Sequence, residues 1–587
     1  MRLLILCHAF NSLSQRVFAE LERAGHEVSV ELDISDEVTR EAVSLFGPDA
    51  VVAPFLKRRI PDDVWQALPC LIVHPGPAGD RGPNALDWAV LDSAAAWGVS
   101  IILATAELDG GPVLASREFP MRRARKSSLY RLEVTEAAVE ALFEALERLN
   151  ESKHRSAEHN PVNAVEDRWR DAVPTDLRRI DWENDDTETV LRKIDSADGQ
   201  PGVADRLVRE VDDKVDDKIV DQPGERDLRL FDARPERTLT GIPGRLLARS
   251  GGAVCRATTD GAVWIGHLKD PAGKNFKRPA VDVLNDTVDQ LDEMPPQWEA
   301  GDGQRGPVRY AEHDQVGMLE FDFYNGAMST RDCEELLAAW RYAASRPTRV
   351  IVLRGGRDFW SNGMDLNSIE AAESPADESW RNINAMDDLA EAIIKTTDHI
   401  TVSAMGGNAA AGGVFLALAA DRIWAREGIV LNPHYKNMGN LYGSEYWTYL
   451  LPRRVVSEDI DQVMGRRLPM LADRARQLGL VDAVGPNRPD DFDEFVDRQA
   501  QALAGRDWQQ SIDAKAKARS ADEAHRALSD YRKAELDRMH LNFFGFDPSY
   551  HVARYRLVHR TPHAWTPLHL ARHRSMVGTK TAVKADR

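Results

Sequence analysis

The sequence predicts a multidomain α/β protein: a doubly wound sheet, a small β-barrel, and a second α/β unit with a helical C-terminus. Three observations lead there. A chain of 587 residues amounts to about two to four domains of ordinary size. Short β-branched strands alternate with helical segments in two separate stretches, the pattern of mostly parallel sheets. Between these stretches lie short strands broken by Gly-rich turns, the pattern of a small barrel.

In the first stretch RLLILC (2–7) reads as a strand, 14–24 as a helix, and EVSVEL (27–32) and DAVVAP (49–54) as strands. LIVHPG (71–76) follows, then a helix over about 84–97 and a strand VSIILATAEL (99–108). Parallel sheets bind ligands at the carboxyl ends of their strands, where the loops carry His8, Asn11, Pro54, His74 and Asp109. The polar run over 150–175 is a linker or lid. A second unit extends from 178 to about 283; within it the densely charged 206–227 reads as a solvated insertion, and 241–269 supplies barrel strands. The Pro- and Gly-rich run 294–307 reads as a linker. A third unit begins near Val308, with strands VGMLEF (316–321), VIVLRG (350–355), ITVSAM (400–405) and RIWARE (422–427), and turns helical and charged beyond about 455. The expected divisions are therefore 1–175, 176–300, 301–545 and a basic tail over 546–587. The last 37 residues hold five His and eight Lys or Arg against one acid, and this tail is expected to be disordered.

Composition narrows the function. With 75 Lys and Arg against 94 Asp and Glu the net charge is −19, which argues against a nucleic-acid or anionic-membrane binder. No apolar run approaches the ~20 residues of a membrane span. MRLLILCHAF reads as a first strand rather than a signal peptide. Cys7, Cys70, Cys255 and Cys333 form no CxxC pair, so neither a disulfide framework nor a structural zinc is expected. The tail spacings His559/His563 and His569/His573 could suit nickel, but Pro562 interrupts the first and no third ligand is evident; no metal is expected. The reading is a cytoplasmic enzyme.

Two constellations carry chemistry. In the first, His74 lies just past a buried strand and Asp109 in a Gly-rich turn after another. A His held by a carboxylate relays protons in acyl transfer. HPG…RGP (74–83) followed by LDGGPV (108–113) resembles the core of the formyltetrahydrofolate-dependent formyltransferases and hydrolases, and VVAPFLKRRIP (51–61) is similar to their folate-pocket loop. The resemblance implies a formyltransferase-like sheet, N10-formyltetrahydrofolate as substrate, and His74 and Asp109 as catalytic residues. The amide that the family places before the His is replaced by Ile72; either Asn84 or Asn11 fills in or the activity is altered. RRIDWEND (178–185) and ADGQPG (197–202) resemble the entry of the family's OB-like C-terminal domain.

In the second, FWSNGMDL (359–366) and GGNAAAGGVFLALAADRI (406–423) each place glycine where a strand turns into a helix. Glycine lets backbone N–H groups approach a ligand, and helix N-termini offer free donors. Together these motifs resemble the crotonase, or enoyl-CoA hydratase/isomerase, superfamily with its spiral α/β domain. By that resemblance the N–H groups of Met364 and Gly412 hold a CoA thioester carbonyl. The two catalytic glutamates of the hydratases fall at Phe415 and His434, so hydration is not expected. Nearby, 432–450 contains Tyr435, Tyr442, Tyr446 and Tyr449 with Glu445 and His434, and Tyr and Glu can exchange protons beside a thioester.

A formyltransferase-like half joined to a crotonase-like half without its glutamates resembles the hydrogenase-maturation HypX/HoxX family. The resemblance implies formyl transfer from N10-formyltetrahydrofolate to coenzyme A, then decarbonylation of formyl-CoA to CO for a NiFe-hydrogenase, with Glu445 and Tyr435 handling the proton. A hydrogenase large-subunit precursor or its assembly complex is the implied partner. Coenzyme A phosphates are expected near Asn11, Ser12, Ser14 and Arg16, in a loop read between the first strand and its helix, and near Arg131, with Arg554 or Arg556 as further candidates; His434 is placed among the cofactor-binding residues. Two other readings stay open: a formyltetrahydrofolate hydrolase or transferase with an idle, CoA-binding crotonase half, and a non-enzymatic assembly scaffold.

Overall fold

The computed structural model describes residues 1–154, 168–207, 226–299 and 306–575. The expected insertion over 206–227 lies almost wholly outside the described residues, as do half of the 150–175 run and the end of the tail.

The first unit is a six-stranded sheet in the order Glu27–Leu32, Arg2–Cys7, Ala50–Phe55, Cys70–His74, Ala96–Leu103, Val113–Pro120. Its first four strands are parallel; Ala96–Leu103 runs antiparallel to them, and Val113–Pro120, antiparallel to that strand, runs with them again. Buried on both faces, these strands carry the continuous apolar runs such a sheet requires. The helix expected over 84–97 stops at Leu91. Ser93 takes a positive φ, and Ala96 and Trp97 already pair with Pro120 and Phe119. Sheet pairing there overrides the helix propensity of SAAAW.

The second unit is a seven-stranded, largely antiparallel sheet built on Arg226–Glu236 and Ala262–Lys269, with helix Thr187–Ala197 packed on it.

The third unit has a main sheet in the order Val308–His313, Val316–Phe321, Val350–Gly355, Ile400–Met405, Arg422–Arg426, Ala483–Gly485, parallel after its first hairpin. A second, smaller sheet lies beside it in the order Phe359–Ser361, Asn408–Ala410, Val430–Asn432, Met470–Leu471. Its first three strands are parallel, so their carboxyl ends converge on the segments 362–364, 411–412 and 433–435. That convergence positions the second site.

The tail is not disordered over its described part, contrary to expectation. Helix Ser549–Val558 leads to a segment that crosses back onto the edge strand Glu27–Leu32. There the N–H of Val30 donates to the Leu570 carbonyl at 3.0 Å and that of Leu32 to Thr566 Oγ1 at 3.0 Å. His573 is buried between Ser29 (2.7 Å) and Glu31 (3.0 Å), and Arg574 also pairs with Glu31. An open sheet edge is a liability, and the tail covers this one. Two of its histidines are held in ion pairs, His573 with Glu31 and His559 with Glu370 at 3.2 Å. Among the described residues no helix is long and apolar enough to cross a membrane.

Candidate active site

Two cavities carry the residues singled out in the sequence. The first, of about 550 Å³, lies at the carboxyl ends of the N-terminal strands and is lined by Ile72, His74, Asn84, Asp109 and Tyr130 among others. His74 ends a strand and is almost fully buried. Its Nδ1 faces Asp109 Oδ2 at 3.8 Å, while its Nε2 meets Asp80 Oδ2 at 3.1 Å. Asp109 sits at φ +51° and accepts the Gly82 N–H at 3.3 Å. The His is thus bracketed by two carboxylates, and the nearer one, Asp80, was not anticipated; its signal was an acid directly before the Arg-Gly of the motif. Of the two amides that could replace the one lost at Ile72, Asn84 lines the cavity, its Oδ1 held by the Val173 N–H at 3.2 Å. Asn11 instead caps helix Ser12–Arg23 and donates to Tyr130 Oη.

The second cavity, of about 860 Å³, is lined by residues of all three units, including Gln15, His267, Met364, Gly412, His434 and Glu445. Met364 follows the strand Phe359–Ser361 and forms a bridge with Met328 through the Gly363 carbonyl and the Asp365 N–H, which leaves its own N–H outside that ladder. Gly412 is the first residue of helix Gly412–Leu418, where N–H groups lack intrahelical partners. Ala411 before it takes φ +47°. The two donors come from adjacent parallel strands, and an N–H pair aimed at one oxygen contributes about 3–4 kcal/mol per donor in measured oxyanion holes.

Tyr435 and Glu445 meet at this point. The Tyr435 hydroxyl donates to Glu445 Oε2 at 2.6 Å, and the ring stacks on Phe415 at 5.2 Å. Phe415 therefore serves as an apolar wall beside the Tyr435 ring. Glu445 and Tyr446 are consecutive non-glycine residues at φ +57° and +60°, a conformation costing about 1–2 kcal/mol per residue, which turns the carboxyl back toward Gly412. Burial first, then the charge of Asp387, pushes the Glu445 carboxyl up to about 8. Burial and Glu445 hold the Tyr435 phenol well above its ordinary range. At neutral pH both carry protons, with Glu445 close enough to its midpoint to exchange one. His434 also borders the cavity, buried, with neither ring nitrogen hydrogen-bonded. Burial lowers it to about 4, so it faces the cavity as a neutral ring with a donor and an acceptor to offer.

Comparisons with known proteins find relatives for each of the three units. The formyl transferase model matches residues 14–146, the formyl transferase C-terminal domain model 173–281, and the enoyl-CoA hydratase/isomerase model 319–547. The hydrogenase maturation factor HoxX of Bradyrhizobium diazoefficiens is 52% identical over 98% of this chain and 97% of its own length. The chain belongs to the HypX/HoxX hydrogenase-maturation family. The crystal structure of HypX from Aquifex aeolicus in complex with tetrahydrofolic acid superposes with a TM-score of 0.91, at 48% identity, covering 98% of this chain and 99% of that one.

Within this chain, most residues expected near the coenzyme A phosphates also have partners inside the protein. Asn11 to Arg16 is not a loop but the cap and first turn of a helix. The Arg16 guanidinium is buried against Glu20 (2.7 Å), Glu136 (3.0 Å) and the Gly428 carbonyl, so it ties units together. Ser14 is fully buried, and its hydroxyl turns to the Ala9 carbonyl. Ser12 remains half-buried at the helix start. Arg131 bridges to the third unit through Asp358 (3.3 Å) and Asn325 (2.9 Å) and stacks over Phe359. Arg554 is buried on Glu370 at 2.7 Å, whereas Arg556 is exposed beside Trp565.

One consequence of this HypX/HoxX geometry is steric. A Cβ on Gly412 would overlap the Glu445 carboxyl. Gly412→Ala keeps the backbone N–H but is expected to displace Glu445 and lower turnover at this site at least about 100-fold, the lower end of what one positioned proton acceptor contributes. A circular-dichroism melt within a few degrees of the parent would show that the fold is kept.

Proposed function

We propose that this chain makes CO for a NiFe-hydrogenase in two steps, formyl transfer from N10-formyltetrahydrofolate to coenzyme A and decarbonylation of the resulting formyl-CoA. The observation that carries the reading is the placement of the two cavities on either side of one helical turn. Leu13 lines the first and Gln15 the second, and Gln15 is held from the crotonase-like side by Asn432 Nδ2 at 2.9 Å. A carrier serving both sites has a short path past this turn. The tetrahydrofolic acid bound to the Aquifex HypX supports folate as the donor.

In the first cavity His74 takes the proton of the attacking thiol and returns one to N10 as the sulfur–carbon bond forms and the carbon–nitrogen bond breaks. Asp80 and Asp109 stabilise the imidazolium that forms between these transfers, and Asn84 offers its Nδ2 to the formyl oxygen. In the second cavity the Met364 and Gly412 N–H groups hold the thioester oxygen. The ionised Glu445 carboxylate takes the formyl hydrogen as a proton, the carbon–sulfur bond breaks, CO leaves, and the same proton passes to the thiolate. Tyr435 fixes the Glu445 carboxyl throughout, and the neutral His434 ring offers the sulfur a hydrogen bond, without giving up its proton, as charge develops there. The step consumes no oxidant or reductant.

Supplying formyl-CoA directly tests the second step alone. CO and free CoA in equal amounts are expected. Formate and CoA in equal amounts, without CO, would replace the lyase reading by a thioesterase.

A further inference from the structure

The Glu445 turn is clasped by two acids from outside the motifs. Asp387, on helix Pro375–Lys395, accepts the Glu445 N–H at 2.8 Å with Oδ1 and the Ser444 hydroxyl at 2.7 Å with Oδ2. Glu535, on helix Leu528–Phe544, accepts the Tyr446 N–H at 3.0 Å with Oε2, and both the N–H (2.7 Å) and the hydroxyl of Thr448 with Oε1. Both acids, with Ser444 and Glu445, are buried.

We propose that Asp387 and Glu535 are positioning residues of the crotonase-like site, two carboxylates that grip the Ser444–Thr448 turn from opposite helices and hold the Glu445 carboxyl against Gly412. Backbone amides alone do not demand acids. An Asn or Gln would accept the same N–H groups without the penalty of burying charge. The choice of carboxylates therefore acts on the third carboxyl between them. The groups facing Glu445 are Tyr435, Asp387, Glu535 and the Cys333 thiol. The nearest cation is Arg532, with Nε 3.8 Å from Asp387, and it is shared with Asp388 and Glu391. Acid outnumbers base, so the cluster retains protons at neutral pH and its members titrate together.

This inference rests on the decarbonylation reading, and its test separates the two. Asp387→Asn keeps the size and the acceptor for the Glu445 N–H, and its amide can donate to Ser444 where the carboxylate accepted. The charge is lost and the bond to Ser444 reverses direction, while the hold on the turn is kept. In wild type, CO release from formyl-CoA is expected to rise with pH through about 8, as Glu445 ionises. In Asp387→Asn the rise is expected to move down by about one unit, the size of a near like-charge effect. Asp387→Ala, which also releases the turn, is expected to lose about 10- to 100-fold at every pH, the range set by one or two buried hydrogen bonds, and Asn at the position restores most of that. The infrared carbonyl band of protonated Glu445, identified as the band absent from Glu445→Gln, reads the same shift without any turnover. A band midpoint unchanged in Asp387→Asn overturns the inference even if CO is made. A shifted midpoint in a protein that releases no CO upholds the clasp while the lyase reading fails.

Discussion

Glu445→Gln is expected to abolish CO release from formyl-CoA, by 10²- to 10⁴-fold, the usual worth of one positioned proton acceptor. Formyl transfer in the other cavity should continue. The amide keeps the size of the side chain and can still accept from Tyr435, so the effect isolates proton acceptance from packing. Formyl-CoA should then accumulate when N10-formyltetrahydrofolate and coenzyme A are supplied together, and a quenched-flow chromatogram would reveal it. The sign of the pH effect follows from the same group. The carboxyl lies near 8, only its ionised form accepts a proton, and wild-type CO release should therefore climb between pH 7 and 9 while the variant stays flat. A variant releasing CO at the parent rate would remove Glu445 from the chemistry.

His74→Ala is expected to show the opposite pattern: a loss of about 10²- to 10⁴-fold in tetrahydrofolate formation, with decarbonylation of supplied formyl-CoA retained. The carboxylates that bracket the ring sharpen this. Asp80, 3.1 Å from Nε2, and Asp109, 3.8 Å from Nδ1, would both lose their common partner and face one another in a closed site. The two variants thus divide the reaction between two cavities. Equal loss of both steps in either variant would argue for a single shared site.

Much of this arrangement is legible in the sequence, and the limits have physical causes. The strands of the two main sheets stand out because burial on both faces makes them continuous apolar runs. The smaller sheet that aims Met364, Gly412 and Tyr435 does not, because FWS, NAA and VLN are too short for any period to register. His74 and Asp109, and Tyr435 and Glu445, are visible because each pair lies in or beside a Gly-rich motif. Asp387 and Glu535 are invisible for the converse reason: on their helices an acid looks like any solvent-facing charge, and only tertiary packing reveals that both are buried. Arg16 and Ser14 illustrate the same limit in reverse, since a helix start rich in hydroxyl and guanidinium groups resembles a phosphate site until its side chains are seen to be engaged within the protein. Composition misleads for the tail: five histidines and eight basic residues suggest a solvated segment, whereas Glu31 on the sheet edge supplies the buried countercharge for His573 and Arg574.

The central claim is that one chain converts a folate-bound formyl group to CO through a thioester of coenzyme A. Its most direct test is to incubate the purified protein with N10-formyltetrahydrofolate, with and without coenzyme A, and to trap CO on reduced haemoglobin by its absorbance shift. CO that appears only with coenzyme A, in step with tetrahydrofolate, is the predicted result. Formate in step with tetrahydrofolate and no CO under either condition would contradict the account and leave a formyltetrahydrofolate hydrolase.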